Sequence, residues 1–93
     1  MSVAETIRQK LNRALEPQLL DVVDESHLHA GHAGAREGGE SHFRVHIVAA
    51  AFSGLNRVAR QRLVNDILKQ ELAGPIHALA MKTQTPEESA DAQ

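Results

Sequence analysis

An α+β domain of order α-β-β-α-β is predicted by three features of this 93-residue chain. Apolar residues recur at helical spacing in residues 3–15 and 56–72. Strict alternation marks a strand at residues 41–49, where Phe43, Val45 and Ile47 face one way and His42, Arg44 and His46 the other. Gly74-Pro75 then ends the second helix and frees residues 76–83 for another strand.

Each element has a local reason. Ser2-Val3-Ala4-Glu5 reads as a capping box, and Ile7, Leu11, Ala14 and Leu15 form the buried stripe of a helix that Pro17 stops. Residues 19–24, with Val22-Val23, read as a short first strand. In the second helix Ala59, Leu63 and Ile67 make one i, i+4 row and Val64, Leu68 and Leu72 the adjacent one. A break is expected near its start, where residues 53–57 can form a separate turn. Thr85-Pro86-Glu87-Glu88 resembles a further helix start. One domain over residues 1–88, with a polar tail at 89–93, follows. One apolar strand face and one polar face imply a three-stranded mixed sheet with helices packed on one side.

Bulk composition narrows the function classes. Net charge is −2, so no broad basic surface draws the chain to phosphate backbones. Phe43 and Phe52 are the only aromatics, too few for a base-stacking platform. Without cysteine, disulfides, thiolate catalysis and a cluster held by this chain's own thiolates are excluded. No apolar run approaches about 18 residues, and the N-terminus lacks a signal-peptide core. A soluble cytoplasmic protein is the expectation. Ser26, Ser41 and Asp24 accompany histidines without a nucleophile–base–orienter pattern, and no H-E-x-x-H, Walker or G-x-G-x-x-G motif is present. A non-enzymatic role is expected.

Residues 24–43 hold four of the six histidines and four of the six glycines and carry no apolar period. A loop of this length in a small domain points to function or to disorder. Topology favours function. A strand–helix–strand connection makes strands two and three parallel, so both start at one end of the sheet. Strand two starts where the histidine loop ends, and strand three starts at His77. An antiparallel first strand finishes at that same end. His77 is thereby carried toward His27, His29 and His32. Imidazole ligates zinc, copper, nickel and iron, so His29 and His32 on an adaptable loop, with His77 on a strand, can form an open metal site. His42 and His46, on the polar face of strand two, are read as structural or solvated.

The ordered set Asp24-Glu25-Ser26, His29-Ala30-Gly31-His32, Glu40-Ser41-His42-Phe43, Phe52-Ser53-Gly54, Arg60-Gln61-Arg62-Leu63-Val64, Ile76-His77-Ala78-Leu79 and Thr85-Pro86-Glu87 resembles the BolA family. Each piece is weak alone; their order over about residues 5–88 is specific. The resemblance implies an α-β-β-α-α-β fold like class II KH domains. It also implies partnership with monothiol glutaredoxins of the CGFS type, in a heterodimer holding a bridging [2Fe-2S] cluster. The glutaredoxin would supply its cysteine and a glutathione thiol. The BolA-like chain would supply the family's C-terminal histidine, here His77, and a loop histidine, here His29 or His32. One departure stands out: the family commonly has Arg-His-Arg where this chain has Arg60-Gln61-Arg62. A rival reading makes the chain a DNA-binding transcriptional regulator through Arg57, Arg60 and Arg62. A third makes it a mononuclear metal carrier using the same loop.

Overall fold

The architecture follows from where each element can bury an apolar face. In a computed structural model, which describes residues 2–25 and 42–91, the order is α1 (Val3–Leu15), β1 (Leu19–Asp24), β2 (His42–Val48), a 3-10 turn (Ala50–Phe52), α2 (Arg57–Ile67), α3 (Lys69–Ala73), β3 (Ala78–Gln84) and α4 (Pro86–Asp91). Ser2 caps α1 by accepting from the Glu5 amide, and Glu16 closes it in the left-handed region at φ 46°. Asn56 caps α2 through the Ala59 amide at 2.8 Å. Gly54, at φ 82°, supplies the left-handed turn before it.

The sheet order is β1-β2-β3. β1 lies antiparallel to β2, with Leu19 opposite Val48 and Asp24 opposite Phe43. β3 lies parallel to β2, with His42 opposite Ala78 and Val48 opposite Gln84. Phe43, Val45 and Ile47 bury one face of β2 against Ile7, Leu11 and Leu15 of α1 and Val64 and Leu68 of the second helical segment. Phe52, carried by the 3-10 turn, is fully buried in the same cluster. On the opposite face Asp21, Val23, Arg44, Ala80 and Lys82 are exposed, so helices cover one side of the sheet only.

Three details differ from the sequence expectation. The 3-10 turn before α2 lies at Ala50–Phe52, ahead of the expected 53–57, and the helical break lies near the other end, at Leu68 (φ −100°, ψ 20°). No glycine or proline marks that position. Packing sets it: Leu68 is fully buried, and the next turn delivers Glu71 to Lys10 of α1, Oε2 to Nζ 2.7 Å. β3 starts at Ala78, so His77 precedes the strand instead of lying within it. Residues 89–91, read as tail, continue α4. Its start is held by a reciprocal Thr85–Glu88 capping box, with Glu88 Oε1 accepting from the Thr85 amide at 2.8 Å and Thr85 Oγ1 from the Glu88 amide at 3.1 Å.

Candidate metal-facing rim

Strand register assembles the site. β1 ends at Asp24, β2 begins at His42 and β3 begins at Ala78, all at one rim. The Glu25 amide donates to the His42 carbonyl at 2.8 Å, and the Glu25 carboxylate accepts from Arg44 Nε at 3.1 Å. Glu25 and His42, the described residues on either side of 26–41, are therefore held together here. His29 and His32, the predicted loop ligands, lie outside the described residues, as does His27.

His77 reaches this rim through a turn with its own anchor. The Glu71 carbonyl accepts from the amides of Gly74 (3.2 Å) and Ile76 (2.9 Å), folding Gly74-Pro75 back toward the sheet. Ile76 is buried and His77 is exposed, so the apolar neighbour fixes the backbone while the imidazole faces water. Glu71 is itself buried: Lys10 takes one carboxylate oxygen, and Oε1 has no partner among the described residues. Such an oxygen calls for water or an incoming donor.

The His77 ring lies 5.2 Å, centroid to centroid, from that of His42, tilted by 55°. Face alternation reads His42 as structural or solvated. The parallel register places it beside His77, and the topological argument already made for His77 was the signal that could have found it. His46 behaves as expected: its Nε2 is 2.7 Å from Gln84 Oε1 on β3, a contact that ties two strands together. Among the described residues no group of three or more His, Cys, Asp or Glu side chains is placed to hold a metal ion. The imidazoles described at the rim are those of His42 and His77.

The arginines of α2 separate into two kinds. Arg60 is engaged by the scaffold. Its Nε donates to the Leu55 carbonyl (2.8 Å), its Nη1 to the Thr83 carbonyl (3.2 Å), and its two Nη atoms bind Glu88 as a fork at 2.7 and 3.2 Å. Its guanidinium carbon also lies 5.9 Å from the centre of the Phe52 ring. Hydrogen bonding from Arg60, then from the Thr85 backbone, lowers the Glu88 pKa from 4.5 to about 2. Arg57 and Arg62 are exposed, and neither is in an ion pair among the described residues. Of the three candidate nucleic-acid contacts, Arg60 is the one already committed to holding the fold.

Fold and rim together define a class: a small α+β module with one open sheet face and an imidazole pair where β1 ends and β2 and β3 begin. A family model described as BolA-like protein matches residues 11–88. The chain belongs to the BolA-like family. It is 46% identical over 84 residues to BolA-like protein 1 of Mus musculus, covering 90% of this chain and 58% of that one. It therefore spans little more than half the length of that relative. The DNA-binding transcriptional regulator BolA of Vibrio cholerae is 44% identical over 86 residues, covering 92% and 77% of the two chains. The BolA domain of SufE1 from Arabidopsis thaliana superposes with a TM-score of 0.85 at 43% identity, covering 95% and 96%.

Proposed function

We propose that this chain is a non-enzymatic partner protein that pairs with a monothiol CGFS glutaredoxin. In that complex His77, together with His29 or His32, supplies imidazole ligands to a bridging [2Fe-2S] cluster, in iron–sulfur trafficking or iron and redox regulation. One observation carries the reading: an exposed His77 stands at the rim where both ends of the histidine-rich segment attach. Four peptide links separate His29 from Glu25, a reach of at most about 14 Å.

The donor chemistry fits the group. Imidazole is a suitable ligand for iron, and an exposed ring on an anchored backbone can meet ligands from a second protein without refolding. A cysteine-free chain offers nitrogen where the glutaredoxin side offers sulfur. Mixed ligation of this kind resembles a Rieske centre, in which histidine raises the reduction potential. When bound, the cluster supplies one-electron and sulfide-bridged iron chemistry. This chain's part is to present neutral imidazoles, so occupancy should fall on acidification. The His42 ring, 5.2 Å away, stands close enough to help orient that of His77.

Co-purification with a CGFS glutaredoxin and glutathione, read by visible circular dichroism, tests the proposal. His77→Ala should abolish or reshape the cluster signal, while His46→Ala, which disturbs only a strand-to-strand contact, should leave it. An unchanged spectrum in the first variant removes His77 from the site. One zinc per chain, in place of paired iron and sulfide, would instead support a mononuclear carrier.

The regulator name of the Vibrio relative favours the alternative of direct DNA binding. With Arg60 engaged, that reading rests on Arg57 and Arg62. Duplex binding would then weaken steeply with salt, and each Arg→Gln change would lower the slope by about one.

A further inference from the structure

The imidazoles of His42 and His77 meet without help from a partner chain, and their backbones are fixed independently. His42 opens β2, stands in register with Ala78 and accepts at its carbonyl from the Glu25 amide. His77 follows the buried Ile76, whose amide donates to the Glu71 carbonyl at 2.9 Å. Side-chain torsions are what each residue has left to adjust.

The separation of the rings is that of a chelate. A zinc–nitrogen bond of about 2.1 Å and an imidazole radius of about 1.15 Å put a metal about 3.25 Å from each ring centre, so a tetrahedral angle sets the two centres about 5.3 Å apart. The observed separation is 5.2 Å. A tilt of 55° takes the rings out of a face-to-face stack, and the exposure of His77 opens the pair to water. The Glu25 carboxylate at this rim is engaged by Arg44. The described donors are thus two nitrogens, with water to fill the remaining positions. Such a set suits zinc, nickel or copper and disfavours magnesium and calcium, which take oxygen ligands.

We infer that His42 and His77 chelate a single divalent transition-metal ion in the chain without its glutaredoxin. His42 is the ligand this adds. The site shares His77 with the cluster proposed above but does not rest on that reading. A metal bound here would withhold His77 from a cluster.

Zinc titration of the ¹⁵N-labelled chain, with no glutaredoxin or glutathione, tests the assignment through long-range ¹H–¹⁵N spectra of the imidazoles. Saturable shifts are expected at one ring nitrogen of His42 and one of His77, and magnesium should produce none. His42→Ala and His77→Ala should each weaken binding about tenfold or more, because the second nitrogen binds at the effective concentration set by the first. His46→Ala should leave binding unchanged, and the amide spectra report whether each variant is folded. A chain with His27, His29 and His32 all replaced by alanine should still show both shifts. Undiminished binding in a folded His42→Ala chain, shifts confined to other histidines, or loss of both shifts in the triple variant would overturn the site. The cluster reading is judged separately, by the glutaredoxin complex of His77→Ala with no zinc added.

Discussion

The two ends of β3 use polar side chains in opposite ways. At its C-terminal end Arg60 is almost saturated: two carbonyls and both oxygens of Glu88 accept its protons, and it is largely buried over Phe52. At its N-terminal end His77 is exposed beside His42, on a backbone held rigidly from behind by Ile76 and the Glu71 carbonyl. The difference teaches how to separate scaffold from site in a small domain. A polar group whose hydrogen-bonding capacity is already met stabilises the fold. One whose backbone is fixed but whose ring faces water is available to a partner.

Substitutions at each end should break this contrast if it is wrong. The largest expected effect is at Arg60. Arg60→Met leaves the Leu55 and Thr83 carbonyls without their donor and should lower unfolding free energy by about 3 kcal/mol in a urea melt. Next is Lys10→Met, which leaves the buried Glu71 without its ion-pair partner. About 2 kcal/mol is expected, at the low end because about a third of the Lys10 side chain remains in water. That variant also sharpens the comparison: loosening α3 should broaden the His77 resonances in NMR while leaving those of Arg60 sharp. His46→Ala removes the contact to Gln84 and should cost about 1 kcal/mol. His77→Ala should change stability by less than about 0.5 kcal/mol, whatever it does to partner or metal binding.

Acid tests the Arg60 end directly. Glu88 has a folded pKa of about 2 against an ordinary 4.5, so its contribution to stability is complete above 4.5. It declines as pH falls below that value and is lost near 2. The melting-temperature difference between the native chain and Glu88→Gln should therefore shrink over this window. A constant difference would show that Glu88 is not held by Arg60.

Much of the fold was legible residue by residue. The bounds of α1 and β1 follow from Ser2, Pro17 and the apolar stripe, and the alternation around Phe43 and Ile47 marks β2 with its buried face. The BolA-like resemblance led to the same element order. The candidate site was legible in part. Parallel pairing of β2 and β3 carries His77 to the rim where β1 ends, as topology required, while the fate of His29 and His32 lies outside the described residues. The His42–His77 contact was not legible, because a two-residue period says which face a side chain occupies and nothing about its neighbour on the next strand. Arg60 looked like Arg57 and Arg62 because charge is visible in sequence and its neutralisation by Glu88 is not.

By itself, the sequence determined the elements, since caps, stop signals and apolar periods act within a few residues of each other. It also determined the available chemistry: many imidazoles, no thiolate, few aromatics. Tertiary structure alone decided the bend at Leu68, the His42–His77 neighbourhood and the division of the arginines into bound and open. Those outcomes depend on strand register and helix docking. They bring together groups far apart along the chain, and no local pattern records such a meeting.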